Sequence, residues 1–306
     1  MKKVLVTGAC GFIGQALCRY LLKKGVEVIG FALDPDKVTY LGDFGMFRVM
    51  RVPFETYQEI DKILLDRDID VVYHLAWDGT SGEKFKDYTL QLANAKYACD
   101  MLMASLSIKS KKFILVGTVN QLEIQKHLTL NDSSPRFTCL YGTAKLAAEM
   151  ICKTLAYQFG ISFNQVLLAN VYGPGDNSRM LQNVLIHNFL TNTKPKLVEG
   201  NYLYDWVYID DVIRLLEAVG HGGIPQKRYY IGHRELQTFK DIVLKVRDIL
   251  NPGMECLFGE YPDSNLVDYD LIDINALYID TGVKAEMDFK ESILLTADWV
   301  KSMNFN

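Results

Sequence analysis

Hydrophobic positions cluster into short unbroken runs in the first half of the chain. Runs at 3–7, 26–31, 71–75 and 112–117, with a weaker one near 161–168, are apolar almost throughout. Between them, stretches at 12–24, 58–67, 86–107 and 141–159 repeat apolar residues at helical spacing. A strand reads as an unbroken apolar run when helices cover both faces of its sheet. Strand-helix-strand alternation gives parallel pairing through right-handed crossovers. The pattern predicts an α/β fold, a Rossmann-type doubly wound parallel sheet. After residue 170 the alternation loosens, and helical patterns at 180–191, 210–219, 238–250 and 288–303 are joined by irregular pieces bearing Pro and Gly. The expected organisation is a Rossmann domain over 1–168 and a smaller C-terminal lobe over 169–306, with a segment near 204–235 returning to the first.

Composition adds exclusions. The chain has 306 residues, 49% of them hydrophobic and 23% charged, which is ordinary for a soluble globular protein large enough to bury a core without staples. Net charge is −4 with no basic block, so nucleic acid is not an expected partner. The six cysteines (Cys10, Cys18, Cys99, Cys139, Cys152, Cys256) form no C-x-x-C pair and read as reduced thiols in a cytoplasmic protein. Met1-Lys2-Lys3 resembles a signal n-region, but the apolar run behind it stops at Thr7-Gly8, so no secretion signal or membrane span is expected. His74 and His127 have no ligand partners at useful spacing, and no metal is expected.

The first loop carries chemistry. "TGACGFIG" (7–14) follows the first strand-like run and opens the first helical stretch, with glycines at 8, 11 and 14. In that context Gly8 suits a tight turn, Gly11 a close approach of pyrophosphate to the backbone, and Gly14 close packing of helix on sheet. The phosphates would meet free N–H groups at the positive end of the helix. A plain turn followed by a small-residue packing helix is the blander reading. This one assigns dinucleotide binding to 1–168 and substrate binding to 169–306.

The spacing G-x-x-G-x-x-G and the variant "TGxxGFIG" resemble the extended short-chain dehydrogenase/reductase family, in its NAD-dependent epimerase/dehydratase (nucleotide-sugar) branch. Further matches run in order along the chain: "VVYHLAW" (71–77), Tyr141-Gly-Thr-Ala-Lys145, "NVYGPGD" (170–176), "YDWVYIDDV" (204–212) and "YYIG" (229–232). The resemblance implies that Gly8, Gly11, Phe12, Ile13, Gly14, Leu75, Ala76, Tyr141 and Lys145 hold the cofactor. It implies catalysis by Tyr141, Lys145 and the strand-end hydroxyl of Thr118. A tyrosine with an ordinary pKa near 10 is a poor base at pH 7. A lysine four residues on lies on the same helix face, and its charge, with that of oxidised nicotinamide, favours the phenolate. Tyr20 and Lys24 share that spacing but fall at the far end of the first helix, so there a partly solvated helix end is expected.

The family's dehydratases follow the strand-end Thr with Asp-Glu. Here Val119-Asn120 follow Thr118, which argues against elimination and for hydride chemistry on a sugar carbinol. Glu123 is expected only to line the loop after Thr118. The general spacing rule puts the adenosine-ribose carboxylate at Asp34, favouring NAD with NADP left open, while alignment puts the strand end at Ala32 and the NADP-associated arginine position at Leu33. Asp34 also reads as a turn residue before Pro35. Leu167 and Tyr204 stand where relatives often carry arginine, leaving Arg179 and Lys194 as candidates for the substrate diphosphate. Trp77, Asn94 and Asn170 are the other candidate substrate residues. Against them stand plain packing for Trp77, a buried backbone bond for Asn94 and loop closure for Asn170. Asp205, Asp210 and Asp211 read as turn and N-cap residues.

The leading expectation is an NAD(P)-dependent nucleotide-sugar epimerase acting at sugar C4. A 4-ketoreductase using reduced cofactor, or a non-catalytic dinucleotide sensor, is the alternative. In relatives the helices matching 86–107 and 141–159 pair into an intermolecular four-helix bundle, so a homodimer is expected.

Overall fold

The computed structural model describes residues 1–41, 45–128, 134–263, 267–303 and 305. Seven strands form the central sheet: β1 (Lys3–Thr7), β2 (Glu27–Ala32), β3 (Phe47–Arg51), β4 (Val71–His74), β5 (Phe113–Thr118), β6 (Phe163–Leu168) and β7 (Arg228–Ile231). Their order is β7-β6-β5-β4-β1-β2-β3, and every pairing is parallel. The chain moves outward from β1 to β2 and β3, then returns to lay β4 on the other side of β1. That reversal opens a crevice at the carboxyl ends of β1 and β4, the place where ligands bind in open α/β sheets.

Alternate side chains of each strand enter different cores. Leu5, Ile29, Val72, Phe113, Leu115 and Phe163 face α2 (Tyr88–Ser107) and α4 (Thr138–Phe159). Val4, Val6, Val28 and Tyr73 face α1 (Phe12–Lys23) and α5 (Ile209–Gly222) through Leu17, Leu21, Val212 and Leu216. Each such side chain taken out of water is worth about 1.5–3 kcal/mol, which makes the register between sheet and helices hard to shift. Local chemistry sets the helix ends. The Asp87 carboxylate caps α2 by accepting from the N–H groups of Thr89 and Leu90, and Gly160 ends α4 in the left-handed region at φ 67°.

Several expectations change. The edge strand β3 lies in a stretch to which the hydrophobic pattern assigns no element, and the helix expected over 58–67 is instead a 3-10 segment, Phe54–Glu59, and one helical turn, Ile60–Ile63. The residues after Thr118 form a short helix, α3 (Asn120–Lys126), not a loop. Glu123 sits on it, buried and paired with Arg136 at 2.8 Å. Asp205 is not a turn or cap residue: it accepts from the Tyr230 hydroxyl at 2.5 Å and from the His233 backbone N–H at 2.7 Å. Asp210 and Asp211 do lie in the first turn of α5, and Asp211 also accepts from the N–H groups of Glu286 and Met287.

Beyond β6, the strand Asn170–Tyr172 pairs in parallel with Trp206–Tyr208. Tyr172 and Trp206 pack with ring centroids 5.7 Å apart, which holds Asn170 at the mouth of the crevice. No helix among the described residues is long and apolar enough to cross a membrane.

Candidate active site

A cavity of about 500 Å³ runs along the carboxyl ends of the strands. One end is walled by the glycine loop. Gly8 takes φ +71°, and a Cβ on Gly14 would lie 2.1 Å from the Gly8 carbonyl oxygen, so only glycine lets α1 start this close to β1. Gly11 is the N-cap residue of α1, no side chain caps it, and the first turn holds no acidic residue. The N–H groups there are free to meet an anion beside the cavity, and a dinucleotide pyrophosphate fits that donor set. Gly8, Gly11, Phe12, Ile13, Gly14, Leu75 and Ala76 all line the cavity. Ala76 is placed by Thr7, whose Oγ1 accepts from its N–H at 3.2 Å and lies 2.9 Å from Nδ1 of the buried strand-end His74.

Asp34 is not brought to the cavity. The lining from β2 ends with Phe31, Ala32 and Leu33, and the Asp34 carboxylate pairs with Lys37 at 3.4 Å.

At the other end stand Thr118 and Tyr141. They come together because α3 packs against the first turns of α4 at Gly142, where a Cβ would lie 3.1 Å from the Asn120 carbonyl. Beneath Thr118 lies a buried polar layer that sequence reading missed. The Thr118 N–H donates to Gln121 Oε1 at 2.9 Å, Gln121 Nε2 donates to Glu149 Oε2 at 2.6 Å, and Glu149 Oε1 accepts from Arg228 at 2.6 Å. Gly117 leaves room for it: a Cβ there would meet Gln121 Oε1 at 2.2 Å.

Lys145 is buried behind the cavity wall and does not line it. Its ammonium donates to the Val116 carbonyl at 2.8 Å and lies 3.9 Å from the Trp77 ring centroid. Burial brings Lys145 down to about 7, and burial also pushes the Tyr141 phenol above its ordinary value. The expected lowering joins the Lys145 charge to that of oxidised nicotinamide, and without the latter the lysine does not lower the phenol. At 5.8 Å from the Tyr141 ring centroid, its charge is outweighed by loss of water around the phenol.

Trp77 walls the cavity and is fixed by its indole N–H, which donates to Gln91 Oε1 at 2.8 Å. Tyr141 is clasped by aromatic rings, edge-on to Trp77 at 6.1 Å and stacked on Phe85 at 4.7 Å. Phe85 was not singled out from sequence. Its one signal is a lone aromatic in the polar piece "GTSGEKFKD" (79–87), which carries two glycines.

Asn94 does not reach the cavity. It holds the loop behind Trp77, accepting from the Asp78 N–H at 3.0 Å and donating to the Asp78 carbonyl at 2.8 Å. Asn170 lines the cavity while its side chain donates to the Asp205 carbonyl at 3.0 Å. Arg179 is exposed and lies between the lining residues Ser178 and Met180 without lining the cavity itself. Lys194 pairs with Glu255 at the surface. Tyr20 and Lys24 bond to Glu217 at the far end of α1. Among the described residues no cluster of three or more His, Cys, Asp or Glu could hold a metal.

The chain as a whole is similar to known proteins. The model of the NAD dependent epimerase/dehydratase family matches residues 4–232, three quarters of the chain. The chain belongs to the NAD dependent epimerase/dehydratase family. It is an enzyme of the extended short-chain dehydrogenase/reductase type, in a family that works with NAD and nucleotide sugars. A probable dTDP-glucose 4,6-dehydratase of Sinorhizobium fredii is 26% identical, with 97% of this chain and 92% of that protein covered. An uncharacterized UDP-glucose epimerase of Bacillus subtilis is 28% identical, with 81% and 82% covered. Among solved structures, the UDP-glucuronic acid 4-epimerase of Bacillus cereus in complex with NAD superposes with a TM-score of 0.76 at 26% identity, covering 98% of this chain and 96% of that one. Members named as epimerases and as dehydratases are thus both near, and the choice between them rests on the cavity.

Proposed function

We propose that this enzyme is an NAD-dependent nucleotide-sugar epimerase acting at sugar C4. The observation that carries the reading is that Thr118 and Tyr141 line the same cavity as the glycine loop, with Val119 and Asn120 lining it where the family's dehydratases place an acid and a base. Bound NAD would supply the hydride acceptor and donor. The Tyr141 phenolate would take the proton from the sugar hydroxyl on oxidation and return it on reduction. The Thr118 hydroxyl would hold that same oxygen, its backbone fixed by Gln121. Against the burial of Tyr141, the Lys145 ammonium, tied to Val116 behind Trp77, and the positive charge of bound oxidised NAD would together favour the phenolate.

On this reading Gly8, Gly11, Phe12, Ile13, Gly14, Leu75 and Ala76 hold the dinucleotide. Residues 1–168 form the cofactor domain, to which the 204–235 segment returns through β7, and 169–306 furnish the sugar pocket with Asn170 at its edge. Exposed apolar side chains on α2 (Leu92, Leu106) and α4 (Met150, Ile151, Tyr157) support a homodimer built on these two helices.

The test is incubation of the purified protein with a panel of UDP- and dTDP-sugars, followed by proton NMR. Inversion at C4 without net consumption of cofactor is expected. Stoichiometric consumption of added reduced cofactor would make it a ketoreductase, and loss of water from the sugar would make it a dehydratase.

A further inference from the structure

Tyr141, Lys145 and Glu149 follow one another at four-residue steps on α4 and share one face of the helix. All three bear on the end of β5. Tyr141 lines the cavity beside Thr118. The Lys145 ammonium donates to the Val116 carbonyl at 2.8 Å. Glu149, buried, reaches the Thr118 N–H through the buried Gln121. That N–H is met by a side chain because the strands have run out: β4 pairs with β5 no further than Leu115, and the next N–H, of Val119, goes to the Leu168 carbonyl.

The direction of these bonds is fixed by chemistry. A guanidinium only donates and a carboxylate only accepts. Arg228 donates to Glu149 Oε1 at 2.6 Å and to Gln125 Oε1 at 2.8 Å. Glu149 Oε2 then calls for a second donor, and Gln121 turns its Nε2 to it at 2.6 Å. The other end of the same amide, Oε1, is left facing the Thr118 N–H at 2.9 Å. The carboxylate at 149 thus decides that an acceptor, not a donor, stands beneath Thr118.

We infer that Glu149 is a positioning residue for the reaction: through Gln121 it holds the Thr118 backbone in register with Tyr141 on its own helix, so that both hydroxyls address one substrate oxygen. The roles of Thr118 and Tyr141 rest on the epimerase reading; the direction of the bonds does not. In Glu149→Gln the amide at 149 accepts from Arg228 only by setting its Nε2 against the Nε2 of Gln121, or by flipping Gln121 and setting that Nε2 against the Thr118 N–H. In Gln121→Glu two carboxylates face each other across the place of one hydrogen bond. Making both changes together restores every bond. Arg228 donates to the amide oxygen at 149, the amide nitrogen at 149 donates to the carboxylate at 121, and that carboxylate accepts from Thr118.

The experiment compares the parent, the two single variants and the double variant, each shown to be folded by circular dichroism. NMR hydrogen exchange at the Thr118 amide needs no substrate; steady-state kinetics use a nucleotide sugar that the parent turns over. Each single variant should speed Thr118 exchange and lower kcat roughly tenfold or more, the worth of one hydrogen bond to a charged group, with KM and NAD affinity within about twofold. The double variant should bring exchange and kcat back to within about threefold of the parent, as coupled neighbours in such a cycle do. Single variants that melt earlier yet keep Thr118 protection and kcat within about threefold would make Glu149 a packing residue only and overturn the inference. A double variant no better than the single ones would overturn it too. A parent that inverts no sugar fails the epimerase reading alone, and Thr118 exchange then decides the inference.

Discussion

The Lys145 ammonium sits 3.9 Å from the centre of the Trp77 indole and donates to the Val116 carbonyl at 2.8 Å. Trp77 is held in turn by Gln91, so one indole both walls the cavity and seals the lysine from water. That seal is why Lys145 falls to about 7. Trp77→Ala should lower stability by about 3–5 kcal/mol, as for a large aromatic removed from a core. It should also admit water, so that Lys145 rises from about 7 toward its ordinary 10.5. NMR titration of isotope-labelled lysine side chains measures that shift. A Lys145 that still titrates near 7 in the variant would assign its depression to the sheet, not to Trp77.

Gly14→Ala should disable the cofactor loop. Its Cβ would lie 2.1 Å from the Gly8 carbonyl, so α1 must back away from β1 and carry its N–H groups with it. Overpacking of this kind costs about 1–3 kcal/mol. Calorimetric titration should show NAD affinity reduced at least tenfold in protein that remains folded by circular dichroism. Gly45→Ala is the control, since a Cβ there meets nothing within 4 Å and its φ lies outside the left-handed region.

The parts legible in the sequence are those that local chemistry dictates. Unbroken apolar runs gave β1, β2, β4, β5 and β6, and the glycine spacing placed the loop above them. β3 escaped notice because "FRVMR" is an edge strand with no fully buried residue, and its apolar run is broken by Arg48. α3 escaped because "NQLEIQK" is short and mostly polar, with Leu122 and Ile124 as its only apolar anchors. The layer Gln121–Glu149–Arg228 joins residues far apart in the chain, and polar residues give no periodicity to betray burial. Lys145 sat at a recognisable spacing, but no pattern shows that the side chain at 77 will cross in front of it.

His74 makes the acid side of stability steep. Burial, helped by the Lys145 charge, lowers it from 6.5 to about 3. Between those values the unfolded chain takes up a proton that the folded chain refuses, so stability falls as pH drops below 6.5. The slope from this one group is at most about 1.4 kcal/mol per pH unit. His74→Gln should flatten the dependence of urea midpoints on pH between 6.5 and 4 relative to the parent protein. Parallel curves for the two proteins would remove His74 from the account.

The central claim is that the Tyr141 phenol moves the substrate proton inside the cavity that holds the dinucleotide. Tyr141→Phe keeps the ring between Phe85 and Trp77 and deletes only the hydroxyl. The direct measurement is turnover of a nucleotide sugar accepted by the parent protein, alongside NAD affinity, for parent and variant. A loss of about 10²–10⁴ in turnover is predicted, the usual worth of a positioned acid-base group, with NAD affinity within about twofold. Turnover within about tenfold of the parent would contradict the account.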